Sequence, residues 1–295
     1  APTSADSTIT INEDATLMFN EGNFPYADVD GDVFRKIKIT ALPDAGSLMF
    51  GDVPVFIDQE FNHGHEYMLT FTPDANSNGA PYTTFQFQVA DDNFTFSASY
   101  TVTIDVTPVN DAPTAANNTV TTNEDTAHTF AASEFNFADV DSDSLDHITI
   151  ATLPAAGTLT LGNSAVSAGD DIAAADIDTL KFTPAANASG DPYTSFTFTV
   201  NDGTADSASS YTMTVDVTPV NDAPTAADDT IDANAGTPEE GDVRANDSDP
   251  DGSTPTVSAI ETGSTVGGGT AGSVGSPLEG TYGSLTLNSN GSYTY

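Results

Sequence analysis

Cysteine is absent from this chain of 295 residues, so neither a disulfide nor a thiolate metal site is open to it. Tryptophan is absent as well, which removes the side chain best suited to stacking on a sugar. Basic residues are scarce: 5 Lys and Arg stand against 44 Asp and Glu, a formal net charge of −39. A field of that sign repels phosphate backbones and anionic bilayers and favours cations, so nucleic acid is not an expected partner. No apolar run approaches the roughly 18 residues of a membrane helix, and direct membrane insertion is not expected. The segment at Ala1 does not read as a signal peptide, since no basic stretch leads into an apolar one. A chain without disulfides needs another source of rigidity, and a bound divalent cation suits this composition. Acidic surfaces also serve solubility or a high-salt habitat, and composition leaves that alternative open.

What the chain does have is an internal repeat. Residues 1–111 align with residues 112–222 at a constant offset of 111, with 50 of the 111 positions identical. Three domains are expected: 1–111, 112–222 and a shorter third unit, 223–295, which departs from the others in spacing and in its glycine-rich stretch from Gly263 to Gly275. Ala1-Pro2-Thr3 matches Ala112-Pro113-Thr114, which directly follows the Val109-Asn110-Asp111 junction, so a longer natural chain with further repeats is expected. The third unit stops after Ser292-Tyr293-Thr294-Tyr295, read as an edge strand of a domain cut short.

Alternation of apolar and polar residues marks half-buried strands in Phe85–Val89 and Tyr100–Val106, and again in Phe196–Val200 and Tyr211–Val217. Shorter strands are expected around Thr8–Ile11, Ile37–Ile39, Ser47–Phe50 and Leu69–Thr72, with Pro43 and Pro73 interrupting strands because proline cannot donate to a ladder. A short helical turn is expected near Ala173–Ile177. About seven short strands per repeat, with turn residues between them, predict an all-β chain of tandem immunoglobulin-like, Greek-key β-sandwich domains in an elongated array.

Acidic clusters recur in register. Glu13-Asp14 returns as Glu124-Asp125; Asp28, Asp30 and Asp32 return as Asp139, Asp141 and Asp143; Asp91 and the junction Asn110-Asp111 return as Asp202 and Asn221-Asp222. The third unit offers Asp247, Asp249 and Asp251. Calcium takes six to eight oxygens, and carboxylates, amide carbonyls and backbone carbonyls all qualify. Carboxylates crowded together repel one another, so a divalent cation relieves a cost the fold would otherwise carry. The Asp-x-Asp-x-Asp runs are not EF-hands: the slots for glycine and glutamate hold Val33 and Ile39 in the first copy, Ser144 and Ile150 in the second, and the third has Gly252 but Ser258. Asp and Asn also fill loops simply because they make good turns. The acids nevertheless persist in the second copy while Val33 and Phe34 beside them drift to Ser144 and Leu145, which favours calcium.

Asn12-Glu13-Asp14, Ala27-Asp28-Val29-Asp30, the Leu153 to Gly157 turn, Tyr82 to Val89, and Val106 to Pro113, in that fixed setting, resemble the bacterial cadherin-like repeats of large secreted surface adhesins. The third unit is similar to a VCBS-type repeat through Asn246 to Gly252 and Gly280 to Leu287. The resemblance implies an extracellular, surface-located bacterial protein whose joints bind calcium. It implies that Asp91, Asn110, Asp111, Glu124, Asp139 and Asp141 meet at the first joint. Asp202, Asn221 and Asp222 with Asp247 or Asp249 would meet at the second, and Glu13, Asp28 and Asp30 would serve a preceding repeat. The Val109 to Pro113 junction is one acidic or amide side chain poorer than a cadherin junction.

An enzyme is not expected. His63, His65, His128 and His147 have Ala174, Asp176, Leu17 and Lys36 at the matching positions, so no histidine recurs. A calcium-rigidified extender or adhesive segment is the leading reading, with calcium ions and neighbouring repeats of the same chain as partners. The rival is a module that binds a cell-surface glycan or protein through the non-repeated segment Val55 to Met68. Exposure of Phe56, Phe61 and Tyr67 favours that rival, and burial of all three favours the extender.

Overall fold

The computed structural model describes residues 1–234, 236–263 and 267–295, so residues 264–266 of the glycine-rich stretch lie outside the described residues. The chain divides into two compact units. One comprises Ala1–Thr114, Ala138–Asp146 and Val200–Ala208; the other comprises Ala115–Phe137, His147–Thr199 and Ser209–Tyr295.

The first repeat forms β1 (Ser7–Asn12), β2 (Leu17–Met18), β3 (Lys36–Ala41), β4 (Ser47–Phe50), β5 (Val53–Pro54), β6 (Glu60–Asn62), β7 (Leu69–Thr72), β8 (Gly79–Ala90) and β9 (Tyr100–Thr107). These make two sheets, in the orders β1-β9-β8-β3-β6 and β2-β7-β4-β5. Two of the nine strands have only two residues, which is why the sequence suggests about seven. β3 ends before Pro43 and β7 before Pro73, as the missing donor requires. The alternate residues Phe85, Phe87 and Val89 of β8 and Val102, Ile104 and Val106 of β9 are buried, and they face Leu48, Leu69 and Phe71 of the other sheet. Phe19 and Phe24 cap this core with near-perpendicular contacts: Phe19 to Phe85 at 5.5 Å and Phe24 to Phe87 at 5.0 Å between ring centroids. Each fully buried phenylalanine contributes about 1.5–3 kcal/mol of transfer free energy.

β1 runs parallel to β9, with Ser7 opposite Val102 and Asn12 opposite Thr107. This pairing positions the acids. Residues that follow β1 emerge at the end where the chain leaves β9, whereas the loop before β3 and the β8–β9 hairpin lie at the other end.

The second repeat builds β10 (Asn118–Asn123), β11 (His128–Thr129), β12 (His147–Thr152), β13 (Thr158–Leu161), β14 (Ser164–Ala165), β15 (Asp171–Ala173), β16 (Leu180–Thr183), β17 (Gly190–Asn201) and β18 (Tyr211–Thr218), in the same two sheet orders. Phe130 and Phe135 stand against Phe196 and Phe198 as Phe19 and Phe24 do in the first copy. A 3-10 helix, Ala174–Thr179, forms where the short helical turn is expected. The ungapped alignment hides one local shift. The amide of Asp91 pairs with the carbonyl of Thr95, but that of Asp202 pairs with Ala205, so the second hairpin turn is one residue tighter and the difference is made up before Tyr211.

The third repeat forms β19 (Glu240–Asp242), β20 (Ile260–Glu261), β21 (Ala271–Gly272), β22 (Pro277–Glu279), β23 (Ser284–Leu287) and β24 (Ser292–Thr294). β24 lies between β19 and β23, so it is an inner strand rather than the edge strand expected from the sequence.

Candidate metal centre

Glu13 follows β1 directly and is 3% exposed. Its Oε1 accepts the backbone N–H of Val109 at 2.6 Å and its Oε2 accepts the side-chain amide of Asn78 at 3.2 Å. Asp14, in the left-handed region at φ 57°, accepts the N–H of Asn76 at 3.2 Å. These bonds fix both acids at the end of the sandwich from which residues 108–111 leave. The N–H of Asp111 donates to Asp141 Oδ2 at 2.8 Å, and the side-chain amide of Asn110 donates to Asp202 Oδ2 at 3.0 Å and to the carbonyl of Asp111 at 2.9 Å. Asp139 accepts the N–H of Asp143 through Oδ1 at 3.0 Å. Its Oδ2, like Oδ2 of Asp111, is buried without a hydrogen-bond partner.

Two orphaned carboxylate oxygens in one place are costly unless a cation meets them. Asp111 records the strain: burial, and then the charges of Asp14, Asp141, Glu13 and Asp139, push its carboxyl above the usual carboxylate range. Asp111 and Asp139 also line a cleft of ≈ 410 Å³ with Asn76, Ala112, Thr114, Ala138 and Val140.

The arrangement recurs with residues of the second repeat and the start of the third. Glu124, 5% exposed, accepts the N–H of Val220 at 2.5 Å, and Asp125 accepts that of Asn187 at 3.0 Å. Asp222 donates its N–H to Asp251 Oδ2 at 2.6 Å, and the side-chain amide of Asn221 binds the carbonyl of Asp222 at 2.8 Å. One carboxylate oxygen from each of Glu124, Asp222 and Asp251 lies within 4.8 Å of the others. Asp222 Oδ2 is again buried without a partner, and its carboxyl is pushed up by burial and by Asp125, Asp251, Glu124 and Asp249.

A third group lies at the opposite end of the first repeat. Asp28, Asp30 and Asp32 bring one oxygen each within 4.8 Å of the others. The Asp28 side chain is 1% exposed, its Oδ1 accepts the N–H of Asp30 at 2.8 Å, and its Oδ2 makes no hydrogen bond but faces the N-terminal ammonium of Ala1 at 3.9 Å, as does Asp30 Oδ2. The Asn93 amide donates to Asp32 Oδ2 at 3.1 Å, and the Tyr26 hydroxyl donates to the Asp32 carbonyl at 2.9 Å.

The structure redistributes the residues expected at each joint. Glu13, not Glu124, is among the charges that act on Asp111 with Asp139 and Asp141, while Glu124 joins Asp222 and Asp251. Asp202, not Asp91, reaches Asn110; Asp91 belongs to the Asp28 end, where with Asp28, Asp32 and Asp92 it helps raise the Tyr26 hydroxyl after burial has done so. The cause is the parallel β1–β9 pairing, which sends the Glu that follows β1 to the exit end of its own repeat. Asp91 and Asp202 also serve as turn formers: Asp91 Oδ1 accepts the N–H of Thr95 at 2.8 Å, and Asp202 Oδ1 accepts those of Thr204 at 2.6 Å and Ala205 at 2.7 Å. Burial would raise the Asp202 carboxyl, but the bonds from Ala205, Asn110 and Thr204 bring it below its ordinary value. In the third repeat, Asp247 turns to the N–H of Ala227 at 2.9 Å, so Asp249 and Asp251 take the places of Asp139 and Asp141. Asn76 and Asn187 escape a search for acids, since their role is played by the backbone; their recurrence in register is the signal that could have found them.

The donors gathered at each centre are oxygens alone, the set suited to a hard cation. Among the described residues no helix is long and apolar enough to cross a membrane.

No curated protein matches the chain. Among solved structures it is similar to Drosophila N-cadherin EC1-4, at 16% identity over 74% of this chain and 49% of that one with a TM-score of 0.39. It is also similar to the human desmocollin-1 ectodomain, at 10% identity over 99% of this chain and 52% of that one with a TM-score of 0.34. An endo-fucoidan hydrolase of glycoside hydrolase family 107 matches at 20% identity over 74% of this chain and 29% of that one, with a TM-score of 0.26. The chain thus spans about half or less of the length of these three. The family model described as bacterial Ig domain matches residues 1–107, 110–218 and 221–295, and the chain belongs to that family three times over.

Proposed function

We propose that this chain is a calcium-rigidified extender segment of a bacterial extracellular surface adhesin, acting by binding and spacing rather than by catalysis. The observation that carries the reading is the set of buried, unpartnered carboxylate oxygens of Asp111, Asp139 and Asp222, each close to the segment that links one repeat to the next. Glu13, Asp111, Asp139 and Asp141 would hold one ion, with Asn110 and Asp202 bracing the loops. Glu124, Asp222, Asp249 and Asp251 would hold another, and Asp28, Asp30 and Asp32 a third. Calcium fits better than magnesium because each centre gathers several carboxylates from the protein itself, whereas magnesium demands a near-ideal octahedron and keeps its waters.

An ion held only by the folded arrangement stabilises it by mass action. The test is thermal melting together with small-angle scattering, in calcium, in calcium-free buffer, and in calcium-free buffer with sodium chloride raised to match. Calcium is expected to raise the melting point and to narrow the range of interdomain distances beyond the effect of salt. An unchanged melting point and unchanged maximum dimension would sink the reading. An effect matched by sodium chloride would assign the acids to general surface charge instead.

The module reading finds support in one region only. Phe56 and Tyr67 stand 62% and 57% exposed, whereas Phe61 is buried at 5%.

A further inference from the structure

Two of the chain's four methionines, Met18 and Met49, lie on the outward face of a single sheet, and a third, Met68, ends the 3-10 helix Glu66–Met68 that leads into it. Across β2, β7, β4 and β5 the register places Met18 opposite Thr70, Thr70 opposite Met49, and Met49 opposite Pro54. The inward residues of the same strands, Leu17, Phe71 and Leu48, pair one position away and pack on the core. Met68 continues the outward row, its Cε standing 3.8 Å from the place a Cβ on Gly51 would take. Met18 is 61% exposed, and Phe56, two residues beyond the outward Pro54, stands at 62%.

The second repeat is an internal control, because it builds the same sheet from β11, β16, β13 and β14. There Thr129, Thr160 and Thr179 replace Met18, Met49 and Met68, Ser167 replaces Phe56, and Lys181 replaces Thr70 at the centre of the row. Threonine is the ordinary residue for an exposed strand face, and methionine has no preference for one. The fold therefore does not call for the methionines. An unbranched thioether on a surface is an adaptable contact, and methionine and aromatic residues are enriched where proteins meet proteins.

We propose that the outer face of β2-β7-β4-β5 is a docking surface for another protein, one that presents an apolar centre with a basic rim. Charge selects that occupant. The face carries no basic residue, the exposed Asp52 and Asp58 flank β5, and the whole chain bears a net charge of −39. A second copy would set those acids against their own kind. A glycan is poorly served, because the row of thioethers offers it a single hydroxyl, that of Thr70, and the one exposed ring, Phe56, lies at its edge.

The test uses the whole chain labelled with ¹³C at its methionine methyls. Four signals are expected, with Met213 in the core of the second repeat as the built-in reference. The probe is a synthetic peptide of alternating leucine and lysine. It is run beside its leucine-glutamate counterpart and a neutral hexasaccharide, each with and without calcium, so that the outcome stands apart from the calcium reading. The expected result is a saturable shift of the Met18, Met49 and Met68 signals with the lysine peptide alone, Met213 staying still, and binding at least tenfold weaker in M18T/M49T/M68T. That variant carries the residues the second repeat already tolerates; should it fail to fold, the shifts in the unmodified chain decide the matter. Unmoved methionines, equal affinity in the variant, shifts with the hexasaccharide, or shifts on raising the protein concentration alone would each overturn the proposal, the last in favour of a second copy.

Discussion

The backbone N–H of Asp111 donates to the carboxylate of Asp141 at 2.8 Å, while the charges that bear on the Asp111 side chain are those of the acids Asp14, Asp141, Glu13 and Asp139. The main chain is thus held in place at the very point where the side-chain charge is least satisfied. Asp222 and Asp251 repeat the relationship at 2.6 Å. In the proposed function, the buried carboxylate oxygen left without a hydrogen bond beside this fixed backbone is the one that a cation would meet.

Neutralising that side chain separates the two contributions. Asp111→Asn keeps the shape and the N–H donor while removing a charge that the neighbouring acids oppose. The expected outcome is a higher melting point in calcium-free buffer together with calcium binding weakened by roughly tenfold or more. Calorimetric titration and melting curves check both, and unchanged calcium affinity would remove Asp111 from the site.

Acidity acts with the same sign. The carboxyls of Asp111 and Asp222 are raised in the folded chain, so the folded state holds their protons more tightly than the unfolded one. Without calcium, stability is expected to rise as pH falls from neutral through the raised values toward the ordinary carboxylate value of about 3.9, and to gain nothing further below it. Asp202, lowered, contributes the opposite trend only below that ordinary value. With calcium present, protons compete, and affinity is expected to fall over the upper window. Melts in calcium-free buffer at stepped pH measure the slope; stability that falls steadily on acidification from neutral contradicts the assignment.

The end of the first repeat has its own reporter. Tyr26 donates to the Asp32 carbonyl at 2.9 Å, and the matching residue of the second repeat is Phe137. Terbium placed in the Asp28, Asp30 and Asp32 group is expected to give emission sensitised by Tyr26. Tyr26→Phe should remove one saturable component of that emission and leave the rest. Identical emission from the variant would place the ion elsewhere.

Much of the fold is legible in the residues, and the misses have a common physical origin. Period-two alternation locates β8, β9, β17 and β18, because burying one face of a sheet imposes it. The acids are visible too, but their partners are not. Which end of a sandwich a loop occupies depends on whether the first strand pairs parallel or antiparallel with the last, and no local pattern in Ser7–Asn12 encodes that choice. The residues alone therefore send Glu13 and Asp91 to the wrong ends. The Asp91 and Asp202 turns differ by one residue although the alignment shows no gap, because the shift is repaid within the same hairpin. The methionine face stays hidden for a related reason: Met18, Met49 and Met68 are far apart in sequence and become a row only through strand register.

Two glycines in left-handed conformations provide a matched stability test. At Gly46, φ +73°, a Cβ would lie 2.5 Å from Phe71 Cζ and 2.8 Å from the carbonyl oxygen of Thr72; at Gly64, φ +90°, it would meet nothing within 4 Å. Gly46→Ala is expected to cost about 2–4 kcal/mol, conformational strain and overpacking together, and Gly64→Ala only about 1–2 kcal/mol from strain. Denaturant melts of the two variants compare them, and equal losses would contradict the packing described around Phe71.

The parallel pairing of β1 with β9 has a mechanical consequence. The chain enters the ladder beside Val102 and leaves it beyond Thr107, at the opposite end. A pull on the two ends of the repeat therefore slides the strands along each other and loads the hydrogen bonds between Ser7–Asn12 and Val102–Thr107 all at once. In a hairpin pulled from its open end the bonds would instead break in succession. β10 and β18 share the arrangement, so each of these two repeats resists tension in shear, the geometry in which a short β-ladder holds best.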